Sequence, residues 1–192
     1  MITLVSPHPD DAELGASMFL RPGSRLVLVT GDLARYDEQA AAATMAGVDI
    51  AARFTWSEGR CVPDVVMVSK MEPFLRSSDT VLSPPDADTH QDHRAVAAAV
   101  RSALRRSAVT LMEYETPSTT AEWNPNVFVP MTDDDLEYQG QLLRHFESQA
   151  TRAYFDRTWL RARARVHGLR VGETYAQAFR LMSTGAPLTR EG

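Results

Sequence analysis

The sequence predicts an α/β domain built on a parallel sheet, and three observations carry that prediction. Apolar runs of strand length recur at residues 2–6, 25–30, 80–83 and 109–114. Stretches of helical composition separate them, as at 37–46 and 94–106, and such alternation folds into right-handed crossovers between parallel strands. The run Leu26-Val27-Leu28-Val29 is apolar without alternation, the pattern of a strand covered on both faces.

Taken in order, residues 2–6 are the first strand and 12–20 a helix that Pro22-Gly23 ends. After the second strand, the alanine-rich helix 37–46 stops at Gly47. Phe54-Thr55-Trp56 reads as a short strand before a turn at 57–60, and 65–75 as a helix that Pro73 should end early or kink. The strand 80–83 runs into Pro84-Pro85-Asp86-Ala87-Asp88, where the two prolines exclude a helix. The helix beyond it sets Val96, Val100, Ala103 and Leu104 on one face. Residues 115–126, after the strand 109–114, are irregular by their Pro, Ser, Thr and Asn content; a loop of that length suits a lid or substrate rim. A strand at 127–131 precedes Thr132, which caps a helix with Asp133, Asp134 and Asp135 in its first turn. An Arg-rich helix at 156–167 and a strand near 176–181 complete a single domain, 1–192, with no internal repeat or linker.

Composition narrows the function classes. A hydrophobic share of 44% and a charged share of 23% are those of an ordinary globular domain. The single Cys61 excludes a disulfide framework and a cysteine-based zinc site. No apolar run approaches the ~20 residues of a membrane span. The first strand begins at Ile2 and leaves no room for a signal peptide, so the expectation is a cytoplasmic protein without a membrane partner. A net charge of −5 argues against nucleic acid as a partner. Residues 1–96 hold 14 acidic and 8 basic side chains against 11 and 12 in 97–192, so the acidic excess lies where a cation site would use it. The chain is compatible with a homo-oligomer.

The densest chemistry is Ser6-Pro7-His8-Pro9-Asp10-Asp11-Ala12-Glu13-Leu14-Gly15, directly after the first strand. Its prolines keep it extended, so His8 and the acids project from a stiff strand-to-helix turn, where open α/β sheets bind ligands. A helix N-terminus alone would account for Asp10, Asp11 and Glu13 but not for His8. A second cluster, Thr89-His90-Gln91-Asp92-His93, stands at the equivalent junction after strand 80–83. Three of the five histidines thus share one structural position.

PHPDDAELG followed by HQDH before an alanine-rich helix resembles the PIG-L/LmbE family of zinc-dependent N-deacetylases. Weaker matches lie at Thr30-Gly31-Asp32, Ser148-Gln149 and Ala178-Phe179-Arg180. The resemblance implies a Rossmann-like three-layer α/β/α fold with a mostly parallel sheet. It implies His8, Asp11 and His93 as ligands of Zn2+ or another divalent metal, Asp10 as general base and His90 as oxyanion donor. Asp92 then orients a histidine through its second ring nitrogen, or caps the helix, or both.

The implied reaction removes an N-acetyl group from an amino sugar of the N-acetylglucosamine type, or from a glycoconjugate. An amidase acting on a sugar-linked thiol conjugate is the alternative within the enzyme class, and a non-catalytic sugar- or nucleotide-binding relative the alternative outside it. Against nucleotide binding, no G-x-G-x-x-G follows the first strand. H-E-x-x-H and G-x-S-x-G are absent as well. Asp32, Glu58 and Arg60 are further candidates for the pocket, and Gln177 stands where many family members carry Glu. His145 and His167 are expected at the surface. The arginines at 152, 157, 161, 163, 165 and 170 face either solvent or an anionic substrate.

Overall fold

The computed structural model describes residues 1–184. The strands are β1 (Ile2–Ser6), β2 (Ser24–Thr30), β3 (Asp49–Trp56), β4 (Thr80–Ser83), β5 (Thr110–Tyr114), β6 (Val127–Met131) and β7 (Tyr175–Ser183). They form one sheet in the order β3-β2-β1-β4-β5-β7-β6. Neighbours from β3 to β5 are parallel, and β7 runs antiparallel to both β5 and β6. The sheet is therefore mostly parallel, with one reversed strand.

Alternation along the strands supplies two apolar faces. Leu4, Leu26, Leu28 and Leu82 pack with Ala12 and Ala16 of helix α1 (Asp11–Ala16), Tyr36, Ala43 and Ala46 of α2 (Leu33–Ala46) and Leu142 of α5 (Asp133–Leu143). Val5, Val27, Val29 and Val81 face the other way, onto Met67, Met71 and Leu75 of α3 (Val65–Arg76) and Val96 and Val100 of α4 (Gln91–Ala103). A last helix, α6 (Arg157–Leu169), lies against β7 and β6. These are the three layers expected. No helix among the described residues is long and apolar enough to cross a membrane.

Several boundaries differ from expectation, each for a local reason. The first helix is shorter: after Ala16 the chain tightens into a 3-10 turn, Ser17–Phe19. The second is longer because Asp32 caps it, accepting from the Arg35 amide at 2.9 Å. β3 takes in residues from Asp49 onward and pairs with β2 through two register shifts. Pro73 does not stop α3, which runs to Arg76. Thr132 caps α5 as expected, in a full capping box with Asp135.

The sheet order fixes where a ligand can bind. From β1 the chain winds outward through β2 and β3, then returns to start again at β4 on the other side of β1. The loops after β1 and β4 consequently part at their carboxyl ends and leave a crevice between them.

Candidate functional site

Both histidine motifs open into that crevice. The segment after β1 is pinned from two sides: Thr30 of β2 donates its amide and hydroxyl to the Pro7 carbonyl at 2.9 and 2.8 Å. Ser6 Oγ donates to the His8 carbonyl at 2.7 Å and accepts from the Ala12 amide at 3.2 Å. Asp10 turns the chain into α1 with a left-handed φ of 103°, unusual for a residue with a side chain. Its carboxylate makes no capping bond to the helix. Instead it faces Arg35 Nη2 at 3.0 Å, and the same Nη2 donates to the Pro9 carbonyl at 2.6 Å.

Three side-chain atoms converge. His8 Nδ1 lies 3.1 Å from Asp11 Oδ2 and 3.2 Å from His93 Nε2, and His93 Nε2 lies 3.2 Å from Asp11 Oδ2. The outer nitrogens are held by carboxylates. Asp92 Oδ2 meets His8 Nε2 at 3.1 Å, while Asp88 Oδ2 meets His93 Nδ1 at 3.0 Å. Asp92 is itself anchored by the Gly59 and Cys61 amides at 2.6 and 3.0 Å, and Asp88 by the Thr116 hydroxyl at 2.5 Å. All of these carboxylates and both rings are buried.

The electrostatics favour a cation. Burial would lower the His8 ring, but its bonds to Asp11 and Asp92 outweigh that and raise it to about 9. His93, also opposed by burial, is raised to about 10 by Asp11 and Asp88. Burial would raise the Asp11 carboxyl, yet the two rings hold it well below its usual range. Asp10 is pushed upward by burial and by the Asp11 charge, against the pull of Arg35.

His90 belongs to the cluster without closing the triangle. Its ring nitrogen lies with those of His8 and His93, all within 4.8 Å of one another. However, its Nδ1 accepts the Asp92 amide at 3.2 Å, making His90 the cap of α4. The helix therefore starts at Gln91, and Asp92 stands inside its first turn; a capping role for Asp92 is not realised. With Nδ1 occupied as an acceptor, the neutral ring carries its proton on Nε2. Burial and the nearby His8 and His93 charges lower the His90 pKa and keep it neutral.

The crevice holds a cavity of about 340 Å3 lined by His8, Asp10, Asp11, His90 and His93 together with Arg35, Glu58, Gln149, Arg152 and Tyr154. The 115–126 loop contributes Pro117 and Ser118. The six site residues read from the sequence thus come together: five line the cavity and Asp92 supports His8 from behind. Of the further candidates, Glu58 lines the cavity, whereas Arg60 does not and Asp32 serves as a helix cap. Gln177 accepts from Met18 N and donates to Ser17 Oγ, bracing the 3-10 turn after the first helix. His167 is not at the surface: it is buried and meets Glu115 Oε2 at 2.7 Å. Asp88, Thr116, Arg35 and Tyr154 are site residues that sequence reasoning missed. For Asp88 a signal existed, since Asp88-Thr89-His90-Gln91-Asp92-His93 alternates acids and histidines on both sides of the ligand-type pair.

No family model matches the chain. It is 29% identical over 154 residues, 69% of this chain and 83% of the relative, to the uncharacterized deacetylase YaiS of Escherichia coli K12. The conserved protein TT1542 of Thermus thermophilus superposes with a TM-score of 0.80 at 21% identity, covering 100% of this chain and 98% of that one. The N,N'-diacetylchitobiose deacetylase of Pyrococcus horikoshii superposes with a TM-score of 0.74 at 18% identity, covering 99% and 86%. The zinc-inhibited form of teicoplanin deacetylase Orf2 does so with a TM-score of 0.70 at 17% identity, covering 93% and 96%. The chain has the fold of these structures, the Rossmann-like α/β fold with a mostly parallel sheet expected from its two histidine motifs.

Proposed function

We propose that the protein is a metal-dependent amide hydrolase that removes an N-acetyl group from a small amino sugar or glycoconjugate. The observation that carries this reading is the triangle of His8 Nδ1, Asp11 Oδ2 and His93 Nε2, with sides of 3.1–3.2 Å. Donors about 2.0–2.1 Å from a tetrahedral zinc are separated by roughly 3.3 Å, so these three atoms fit one face of such a site. His8, Asp11 and His93 would hold the ion, with Asp92 and Asp88 fixing the ring orientations from behind. When bound, a divalent ion lowers the pKa of its water to about 7 and polarises a carbonyl oxygen.

The chain's own residues supply the remaining chemistry. Asp10, on the cavity wall and outside the triangle, takes the proton of the attacking water and returns it to the departing amine. His90 offers Nε2–H to the carbonyl oxygen as negative charge builds on it. Arg35 holds the Asp10 carboxylate at 3.0 Å and so fixes where that proton is taken up. Water adds to the amide carbon, the carbon–nitrogen bond breaks, and acetate and a free amine leave. The deacetylase names of the relatives support the class of reaction; zinc is the metal the donor set suits.

The test is acetate release from a panel of N-acetylated amino sugars and simple N-acetyl amides, with and without a chelator. Chelator-sensitive turnover of the sugars is expected. Absence of acetate release from every compound by the metal-loaded protein would contradict the reading.

A further inference from the structure

The turn that carries Asp10 is held in the less favoured of two forms. His8, Pro9, Asp10 and Asp11 close a four-residue turn, in which the Asp11 amide donates to the His8 carbonyl at 3.3 Å. Asp10, its third residue, has φ 103° and ψ −25°. A positive φ at that place marks a type II turn, which favours Gly there; a type I turn takes about −90° and accepts Asp without strain. Pro9, at the second position, suits both forms. The two differ by turning over one peptide unit, Pro9–Asp10. The residue types alone thus favour type I, and the strained form persists only where its surroundings impose it.

Helix α2 holds both ends of that peptide unit. Arg35 Nη2 donates to the Pro9 carbonyl at 2.6 Å, and Gln39 Oε1 accepts from the Asp10 amide at 3.3 Å. Four residues apart, Arg35 and Gln39 share one face of the helix. Gln39 is completely buried, and its Nε2 donates to Glu13 Oε1 of α1 at 2.5 Å. A side-chain amide can accept from a backbone N–H at one end and donate to a carboxylate at the other. The methylene chain of a Met could do neither.

Turning the peptide over would set its carbonyl oxygen against Gln39 Oε1 and remove the acceptor that Arg35 uses. Arg35 Nη2 bonds that carbonyl and the Asp10 carboxylate together, so its hold on the carboxylate depends on the form of the turn. Gln39 itself does not line the cavity.

We propose that Gln39 is a positioning residue: it locks the His8–Asp11 turn in the type II form and so keeps Arg35 and the Asp10 carboxylate aligned for proton transfer. The catalytic part of this rests on the amide-hydrolase reading above; the lock rests on the backbone alone.

The experiment uses Gln39→Met, which removes both bonds and nearly keeps the volume. Should that side chain not pack, Gln39→Ala removes the same bonds. Acetate release is measured on the best substrate of the N-acetyl sugar panel, together with metal content. The three-bond coupling between the amide and α protons of Asp10 reads its φ in the metal-loaded protein. Gln39→Met is expected to turn the peptide over and to lower kcat by about tenfold to 10²-fold, the loss a misplacement of about 1 Å can bring. KM and metal content should stay as in wild type. Gln39→Glu keeps an acceptor for the Asp10 amide and should keep the positive φ and much of kcat. In an Asp10→Asn background Gln39→Met should lower kcat no further, because nothing is left to position; a residue that only braces the fold would lower it by the same factor again.

A positive φ retained in Gln39→Met overturns the inference whatever the turnover. So does wild-type kcat with the peptide turned over, or an equal loss of kcat in both backgrounds; each leaves the hydrolase reading standing. Absence of acetate release by the wild type removes the hydrolase reading. The lock then stands if the Asp10 coupling changes in Gln39→Met, and falls as well if it does not.

Discussion

Asp92 Oδ2 lies 3.1 Å from His8 Nε2, so a residue of the second motif fixes the ring orientation of the first. The same oxygen accepts the Gly59 amide at 2.6 Å, tying the loop after β3 to the pair. Burial would raise this carboxyl, but the His8 ring and the two amides hold it well below its usual range. It stays charged behind the ring and turns Nδ1 toward Asp11 and His93.

Asp92→Asn keeps the shape and removes the charge. Loss of such an outer carboxylate weakens metal affinity by about 10–100-fold. Competition against a chromophoric chelator should show that loss with the far-ultraviolet circular dichroism unchanged. An affinity equal to wild type would mean that Asp92 does no more than anchor the loop.

Asp10→Asn separates catalysis from architecture. Asn tolerates the left-handed backbone about as well as Asp, and no side-chain cap is lost because none is present. The expected protein is folded and metal-loaded, with kcat reduced by about 10²–10⁴, the range for a general base. Turnover near wild type with metal retained would assign proton transfer to another group.

Gly15 is where α1 meets β5. A Cβ built there overlaps the Glu115 carbonyl oxygen and Tyr114 Cδ2. The Tyr114 ring cannot swing aside freely, since its hydroxyl donates to the Val5 carbonyl at 2.7 Å. Gly15→Ala is therefore expected to cost about 1–3 kcal/mol or more, as overpacking does. Urea unfolding reads this as a lower midpoint at constant slope, and an unshifted midpoint would contradict the close approach.

Glu115 gives a pH test away from the cluster. Burial would raise its carboxyl, but the His167 hydrogen bond and the Arg163 charge outweigh that and lower it from its ordinary 4.5. A lowered folded pKa contributes stability that is full above the unfolded value and is lost as pH falls through the folded one. Wild-type stability should thus drop below about pH 4.5 more steeply than that of Glu115→Gln. At pH 7 the variant should be less stable by about 1–3 kcal/mol. Parallel pH profiles for the two proteins would contradict the lowered carboxyl.

Most of the fold was legible in the sequence because its central strands β1, β2 and β4 are buried on both faces and clear breakers separate the elements. The strand at 80–83 and the Thr132 cap have the bounds their residues announce. β3 was half-missed, since an edge strand with mixed exposure carries no clean apolar run. The six site residues were legible because each lies in one of two short motifs. Arg35 and Tyr154 were not, as each reaches the cavity from an element whose sequence gives no reason to single it out. The burial of His167 was hidden for a related reason: its partner Glu115 is 52 residues away and meets it only after β5 and α6 have packed.

The central claim is that His8, Asp11 and His93 hold one metal ion, and metal content measured on purified protein tests it most directly. Wild type should carry about one divalent ion per chain after dialysis, as a three-ligand site predicts. His93→Ala, folded by circular dichroism, should retain little of it. Full metal content in that variant would contradict the account.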